Sequence, residues 1–474
     1  MKPHKQYRPR KQPAEAKLRQ PGRQQHPLVA SQPTQPQPVE PKIVQIEKPI
    51  YGGAFLARLE GKAVFVPLTL PGEQVRVRVT QKKRGYDTAD PDEIVAASPE
   101  RIAPACSHFG SCGGCDYQHT NYETQLAFKQ AILRETLERG GVTTSTEINV
   151  LAAAPWQYRN RIRLAFDAAG NPGYRGRRSN AVIPVSECPI AAPLLLNSAK
   201  SIAEIARQFA PSLRPTEIAL FCDATETALL ASVSIASPAQ SNPAKTKPSF
   251  DDFAQAIHEQ IPALKGAELL AEGHAAQPPH AIAQWGAPSL SYRAASFDYR
   301  VDHGAFFQVN RFLVDALVQQ VIAGHKGSLA WDLFAGVGLF ARSLAPSFDR
   351  VVAVESAPSA TQALTANLKG TTGTAVRSAT LDFLRRSRKS AHVDSARPDL
   401  VVVDPPRIGL GPDITALLAE VAAPALVYVS CDPATLARDL RPLTASGYTI
   451  QSMTLADLFP QTFHLETVVQ LRRA

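Results

Sequence analysis

The sequence of 474 residues lacks any long apolar run and has no apolar segment of secretory type near its N-terminus. A transmembrane helix needs about 20 mainly apolar residues, so helical membrane spans are excluded and a cytoplasmic protein without a membrane partner is favoured. Cysteine is also scarce, with six in the whole chain. So few thiols argue against a secreted disulfide scaffold and favour metal binding or catalysis.

The net positive charge is small outside the N-terminus. The net charge is +9, but residues 1–39 hold eight Lys or Arg and one acid, which accounts for seven of the nine charges. A basic tail adds nonspecific affinity for phosphate that weakens with salt, although a purely solubilising extension fits the composition equally well. Residues 1–42 are rich in Gln and Pro and carry almost no periodic apolar residues, so we expect a disordered basic tail.

Short strands of alternating polarity follow between residues 43 and 98. Turn signals separate them at Gly52-Gly53, Gly61 and Pro71-Gly72. About five strands in such a short stretch predict a small barrel of the OB type, a common scaffold for RNA binding. The spacing of EKPIYGGAFLAR and VPLTLPGEQVRV also resembles a TRAM domain, which is an RNA-binding module.

Three cysteines cluster in the motif Cys106-x5-Cys112-x2-Cys115, and two glycines between the last two allow tight folding around an ion or a cluster. A fourth ligand is needed, and Cys188 beside a proline is the natural candidate. Zinc and a 4Fe–4S cluster both bind four cysteines. Because zinc sites more often use two Cys-x2-Cys pairs, we favour a structural 4Fe–4S cluster within a central α+β domain, residues 99–300.

Cations and aromatic side chains alternate in residues 155–190 of this central segment. They are Tyr158, Arg159, Arg161, Arg163, Tyr174, Arg175, Arg177 and Arg178. The pattern suits stacking on bases and contact with phosphates, which predicts RNA binding. A solvated strand face with alternate arginines would give a similar pattern.

The last segment, residues 301–474, alternates apolar strands with helical stretches and predicts a doubly wound α/β domain. Such sheets bind ligands at the carboxyl ends of their strands. A glycine turn follows Asp332, and Glu355 ends the next strand 23 residues later, where a carboxylate can bind ribose hydroxyls. Because the turn lacks a third glycine and opens on an acid, S-adenosylmethionine is favoured over NAD. Two further strands deliver Asp404 and Cys431 to the same edge.

Five motifs then occur in a fixed order: FFQVN, DLFAGVGLF, DPPR, SCDPATLARD and LFPQTFHLET. Together they resemble the RNA uracil-5-methyltransferases of the RumA/TrmA group, over roughly residues 43–474. The cysteine motif and the TRAM-like start resemble the 23S rRNA members rather than the tRNA branch. The resemblance implies a monomer with an N-terminal barrel, a central iron–sulfur domain and a class I methyltransferase domain. It would methylate C5 of a uridine in RNA, 23S rRNA above all.

The resemblance also implies roles for single residues. Cys431 would be the nucleophile that adds to C6 of uracil, and Glu466 the base that removes the C5 proton. Residues that would line the S-adenosylmethionine site are Gln308, Phe334, Glu355, Asp382 and Asp404. Residues that would hold the cluster are Cys106, Cys112, Cys115 and Cys188. Two residues depart from the family pattern. The family commonly has Asn at the position of Asp432, directly after the cysteine, and often has Asn at the position of Leu339.

Three alternatives remain open. The substrate can be tRNA instead of rRNA. A cytosine-5 methyltransferase uses similar thiol addition, but its cysteine usually follows Pro or Thr, whereas Ser430 precedes Cys431 here. A noncatalytic RNA-binding assembly factor can also retain the fold. Transfer of a labelled methyl group to RNA distinguishes the enzymes from the last alternative.

Overall fold

A computed structural model describes residues 41–209, 211–236, 243–273, 279–389 and 397–473. The basic tail predicted for residues 1–42 lies almost wholly outside these ranges, so its disorder stays a prediction. In the described part of the chain, no helix combines the length and the apolar character needed to cross a bilayer.

The first domain is a closed barrel of five strands with the order β1-β2-β3-β5-β4. The strands are β1 (Lys42–Pro49), β2 (Ala54–Leu59), β3 (Lys62–Pro67), β4 (Gln74–Lys82) and β5 (Tyr86–Ala96). Alternate residues such as Val44, Phe55 and Val75 point into the barrel core. The barrel predicted from the alternating sequence is confirmed. Its core also includes Tyr117, which comes from the segment after the cysteine motif.

The central region combines one long helix with a seven-stranded sheet of order β13-β12-β11-β10-β7-β8-β9. Its elements are α1 (Tyr122–Arg139), β6 (Ile148–Leu151), β7 (Arg161–Phe166), β8 (Pro172–Arg175), β9 (Val182–Pro184), α2 (Pro193–Ala206), β10 (Glu217–Cys222), β11 (Leu229–Ile235), α3 (Pro243–Gln260), β12 (Leu264–Ala271) and β13 (His280–Gly286). Ile162 and Leu164 of β7 pack in a core with residues of α2 and α3. Arg161 and Arg163 alternate with them and lie on the opposite face of the strand.

The last region is an eight-stranded sheet of order β18-β17-β16-β19-β20-β22-β21-β6, preceded by a hairpin. Its elements are β14 (Ser289–Ala294), β15 (Phe297–Asp302), α4 (Val314–Ile322), β16 (Gly327–Leu333), α5 (Leu339–Leu344), β17 (Phe348–Glu355), α6 (Pro358–Leu368), β18 (Gly373–Arg377), α7 (Thr380–Lys389), β19 (Leu400–Val403), α8 (Gly411–Val421), β20 (Ala425–Ser430), α9 (Pro433–Ala445), β21 (Tyr448–Ala456) and β22 (Glu466–Arg473). The strands β19 and β20 are buried throughout, because both faces of the sheet are covered. The predicted doubly wound α/β domain is confirmed.

The directions of the strands determine which residues lie at the carboxyl-end edge of this sheet. Strands β16 to β20 are parallel, so their carboxyl ends share one edge. Strand β22 runs antiparallel to β20, and Ser430 pairs with Thr467. The first residue of β22, Glu466, therefore lies at the same edge as Cys431, which directly follows β20.

The central segment also contributes to this sheet. Strand β6, which lies inside the range 99–300 predicted as a separate domain, pairs in parallel with β21 at the sheet edge. The helix before it, α1, packs on α9. The segment after the cysteine motif therefore packs against the same sheet whose carboxyl-end edge carries Cys431 and Glu466.

Candidate active site

The glycine turn after β16 places three alternate positions in the left-handed region of backbone conformation. Phe334, Gly336 and Gly338 have φ angles of 68°, 56° and 91°. The φ of Gly338 favours glycine, and a Cβ there would also lie 2.6 Å from Cδ1 of Leu364 in α6, which would have to shift. Space beside Gly336 is open. The turn is thus both conformationally special and accessible to a ligand on one side.

Glu355 is fixed beside this turn by backbone donors. The N–H of Gly336 donates to its Oε2 at 2.9 Å, and the N–H groups of Ser356 and Ala357 donate to its Oε1 at 2.7 Å each. The carboxylate remains partly accessible at the end of β17. Its fixed orientation suits a bidentate contact with the two hydroxyls of a ribose.

Asp332 lies beneath the turn and is fully buried. Its Oδ2 accepts a hydrogen bond from the N–H of Ala341 at 2.8 Å, which ties β16 to α5. Burial, together with the negative charges of Asp404 and Glu355, raises the pKa of Asp332 to about 7. Through its hydrogen bond with Ala341, the Asp332 side chain stabilises the glycine turn.

The other predicted cofactor residues differ in exposure. Gln308 is buried, and its backbone oxygen accepts a hydrogen bond from Nδ2 of Asn160 at 2.9 Å. Phe306, in the same motif, is 60% exposed. Asp382 is exposed at the start of α7, after the end of β18. All of the predicted positions follow strands of the catalytic sheet or the FFQVN segment.

Cys431 and Glu466 occupy neighbouring strand ends, and each affects the other electrostatically. Burial, then the charges of Glu466 and Asp404, raises the pKa of Cys431 to about 12, while Arg407 opposes the shift. Burial and Asp404 also raise the pKa of Glu466 well above its usual value, and Arg407 again opposes. The free site therefore favours a neutral thiol at neutral pH and shifts Glu466 towards its protonated form.

Asp404 and Arg407 come from the DPPR motif and act on the same two groups. Burial raises the pKa of Asp404 to about 7. The guanidinium of Arg407 donates to Nδ1 of His464 at 3.1 Å. Burial and Arg407 lower the pKa of His464 to about 4, so this imidazole is neutral at neutral pH and accepts the bond. The DPPR motif is visible in the sequence, but the sequence indicates no role for Arg407.

The turn after Cys431 explains why Asp432 substitutes for the usual Asn. Asp432 caps α9, and its Oδ1 accepts hydrogen bonds from the N–H groups of Ala434 and Thr435 at 3.0 and 2.9 Å. An Asn side chain offers the same acceptor, since both residue types are good N-caps. The departure from the family pattern is therefore conservative in structure.

Tyr51 of the barrel contacts the turn at Cys431. The sequence did not predict this contact. The hydroxyl of Tyr51 lies 3.5 Å from the backbone oxygen of Cys431, and its ring contacts the edge of Phe463 at a centroid distance of 5.6 Å. Tyr51 sits in the turn between β1 and β2, outside any alternating pattern. A long-range contact of this kind leaves no signal in a single sequence.

The four predicted cluster cysteines line one small cavity together with Arg159, Tyr174 and Gln118. Burial raises the pKa of Cys106, Cys112 and Cys115, the last to about 12, and the positive charge of Arg159 opposes the shift at Cys112 and Cys115. In the described ranges, no three His, Cys, Asp or Glu side chains are close enough to bind a single metal ion. The remaining thiol, Cys222, is buried in the core of the central domain.

The predicted RNA-contacting set divides into two groups. Tyr158 is fully buried and its hydroxyl donates to the backbone oxygen of Pro460 at 3.0 Å, so the prediction of base stacking is wrong for this residue. Arg177 is bonded to Asp116 at 3.2 Å. Arg161, by contrast, lies over the ring of Phe221 at 4.6 Å in a groove of about 550 Å³ that Arg163 also lines. A cationic and aromatic groove of this kind suits single-stranded RNA.

Comparisons with known proteins agree with this geometry. The sequence model of the TRAM domain matches residues 42–91, and that of the tRNA (Uracil-5-)-methyltransferase family matches residues 287–474. A relative from Shewanella piezotolerans, named 23S rRNA (uracil(1939)-C(5))-methyltransferase RlmD, is 31% identical over 88% of this chain and 92% of its own length. A protein of the same name from Chromohalobacter salexigens is 33% identical over 91% of this chain and 89% of its own.

Among solved structures, the fold is similar to that of the Pyrococcus abyssi tRNA (uracil-54, C5)-methyltransferase in complex with S-adenosyl-L-homocysteine. The TM-score is 0.69 at 23% identity, and the match covers 90% of this chain and 99% of the other. At this identity the similarity concerns the fold. With the relatives that match nearly the whole chain, it leads to one conclusion: this protein belongs to the RNA uracil-5-methyltransferase family.

Proposed function

We propose that this protein transfers a methyl group from S-adenosylmethionine to C5 of a uridine in RNA, with 23S rRNA as the favoured substrate. The observation that carries the proposal is the meeting of Cys431 and Glu466 at one sheet edge, through the pairing of Ser430 with Thr467. The names of the curated relatives support rRNA. A tRNA substrate is the second candidate, because the structural neighbour is named for tRNA. A cytoplasmic location and a monomeric state remain predictions.

The chemistry requires both a nucleophile and a base. Carbon C5 of uracil attacks a methyl donor poorly, but addition of the Cys431 thiolate at C6 converts the ring into an enolate whose C5 is nucleophilic. That carbon then takes the methyl group from the sulfonium, which leaves as a neutral thioether. Glu466 removes the C5 proton, the C5–C6 double bond re-forms and the thiolate leaves. In folded RNA the base must first be flipped into the site.

The site residues would divide between the two substrates. Glu355, at the end of β17, would bind the ribose of S-adenosylmethionine, and the glycine turn at Phe334 would approach its methionine part. Gln308, Asp382 and Asp404 would complete this pocket. The exposed ring of Phe306 is suited to stack on a nucleotide at the entrance.

The raised pKa values of Cys431 and Glu466 indicate that a bound positive charge would help these groups to ionise for the reaction. In the free site, a cysteine thiolate would face the carboxylates of Glu466 and Asp404 in a buried environment, which is unfavourable. S-adenosylmethionine brings a positive charge, and an opposite charge nearby stabilises both a thiolate and a carboxylate. A carboxylate whose pKa has been raised is also a stronger base once it ionises.

We further propose that Cys106, Cys112, Cys115 and Cys188 hold a 4Fe–4S cluster. Their shared cavity supports this proposal, as does the guanidinium of Arg159 on the cavity wall, because a cluster bound by four thiolates is anionic overall. When bound, the cluster would stabilise the fold between residues 106 and 188.

The variant Glu466→Gln tests the mechanism. Cys431 can still add to C6 and the methyl group can still reach C5, but glutamine cannot accept the C5 proton. We expect a protein–RNA adduct that survives denaturing electrophoresis when RNA and S-adenosylmethionine are both present. Cys431→Ala is the control and should give neither adduct nor methylated RNA. Release of methylated RNA by Glu466→Gln at the wild-type rate would contradict the assignment and make His464 the next candidate.

The raised pKa of Cys431 predicts an unusual pH dependence of alkylation. Only the thiolate reacts with iodoacetamide, so the rate at Cys431 should be lower than for a free cysteine at pH 7–9 and should still rise above pH 9, towards its pKa of about 12. Peptide mass spectrometry separates Cys431 from the other thiols. S-adenosylmethionine should accelerate alkylation, whereas S-adenosylhomocysteine, which lacks the positive charge, should not. A rate that levels off near pH 8.5, the ordinary cysteine pKa, would refute the interpretation.

The cluster proposal predicts that protein purified without oxygen is brown and absorbs near 400 nm in the manner of iron–sulfur proteins, with about four irons per chain. Cys112→Ala should lose the iron and the absorbance. Cys222→Ala, which removes a buried thiol outside the cavity, should keep both. Stoichiometric zinc without iron in the wild-type protein would overturn the proposal.

A further inference from the structure

The loop that carries the catalytic base is held by groups from outside it. We call residues 457–465 the base loop, because Glu466 follows directly. Five successive backbone oxygens of this loop accept hydrogen bonds from other parts of the chain. The oxygens of 457 and 458 bind Nδ2 of Asn310, that of 459 binds Nζ of Lys129, that of 460 binds the hydroxyl of Tyr158, and that of 461 binds the N–H groups of Asp116 and Tyr117. The loop therefore takes its conformation from its surroundings.

The middle of the base loop is strained and clamped. Gln461 has a φ of 68°, a conformation that costs a residue with a side chain of order 1–3 kcal/mol unless neighbours over-determine it. The side chain of Gln125 in α1 forms two hydrogen bonds with Gln461, one to its side chain at 2.9 Å and one from its backbone N–H at 3.0 Å. These contacts explain why the strained conformation persists.

Asp116, the residue after the third cysteine, joins three parts of the molecule. Its backbone N–H donates to the oxygen of Gln461 at 2.8 Å. Its Oδ2 accepts from the N–H of Phe463 at 3.3 Å, and its Oδ1 accepts from Arg177 at 3.2 Å. The barrel lies against the same carboxylate, since a Cβ on Gly53 would be 2.9 Å from its Cγ. Asp116 is itself buried.

We propose that Asp116 is a positioning residue that sets the location of Glu466 relative to Cys431. Phe463 lies three residues before Glu466, and its backbone N–H is bonded to Asp116. Its ring also contacts Tyr51 and His464. The segment from Gln461 to Glu466 is thus fixed from the side of the cysteine motif. This inference rests on the proposed function, because it assumes that Glu466 is the base.

The positions of Cys431 and Glu466 in the chain indicate which step of the reaction depends on Asp116. Cys431 lies between β20 and α9, and the hydrogen bonds of Asp116 do not involve either element. Addition of the thiolate and methyl transfer should therefore proceed without Asp116. Removal of the C5 proton should slow, because a displacement of about 1 Å can reduce the rate of a step by about 100-fold. The methylated adduct should accumulate as a result.

The experiment compares Asp116→Ala, Asp116→Asn and Asp298→Ala with the wild-type holoprotein. Asn keeps an oxygen that can accept from Phe463, and Asp298 belongs to an exposed ion pair with Arg293 in the hairpin β14–β15. We expect Asp116→Ala to lower kcat at least about tenfold, with the KM for RNA within about twofold, and to raise the denaturation-resistant adduct in the steady state. Asp116→Asn should restore most of kcat, and Asp298→Ala should match the wild type.

Two parallel variants keep the inference falsifiable. Glu466→Gln should itself give the adduct. If it does not, the proposed base is wrong, and this result concerns the proposed function and not the role of Asp116. If Glu466→Gln accumulates adduct while folded Asp116→Ala keeps the wild-type kcat and adduct level, the inference is overturned. Should Asp116→Ala fail to fold, Asp116→Ser replaces it, because its hydroxyl is one bond shorter than the carboxylate and does not extend to the N–H of Phe463. Wild-type kcat and adduct level in folded Asp116→Ser would also overturn the inference.

Discussion

The structure depends on one constraint: an irregular loop beside the catalytic edge is buried, and its backbone polar groups must find partners inside the protein. The base loop meets this requirement with donors from the barrel-proximal cysteine segment, from α1 and from the FFQVN segment. Lys129 and Asp457 add a fully buried ion pair at 2.6 Å, with Tyr122 donating to the same carboxylate. Breaking such a pair costs about 3–5 kcal/mol, so the base loop and α1 act as one unit.

The electrostatics of the catalytic edge follow from the same burial. Cys431, Glu466 and Asp404 are acidic groups near the cation of Arg407. Burial, followed by repulsion from the neighbouring carboxylates, raises the pKa of the thiol and of Glu466. The free protein thus keeps the Cys431 thiol protonated at neutral pH. A thiol in that state is protected from oxidation and alkylation, which thiolates undergo much faster. A cationic methyl donor then supplies the charge that the site lacks.

The sequence predicted the parts of the site that depend on local pattern. Glu355, Asp404 and Cys431 were found because each ends an apolar strand, and parallel strands share a carboxyl edge. The resemblance supplied Glu466, but only the antiparallel direction of β22 explains its nearness to Cys431. Tyr51, Asp116 and Gln125 were missed because their partners lie more than 300 residues away in the chain. Tyr158 was misassigned because an alternating cationic and aromatic pattern does not reveal which side chain points into the protein.

The proposed mechanism requires that a base in this site removes the proton from C5 of uracil as part of methyl transfer. The most direct measurement uses RNA labelled with tritium at C5 of its uridines, incubated with the protein and S-adenosylmethionine carrying a carbon-labelled methyl group. We expect one tritium released to water for each methyl group incorporated into 23S rRNA, and release that stops in Cys431→Ala. Methyl incorporation without tritium release would place the methyl group on another atom and exclude proton removal from C5.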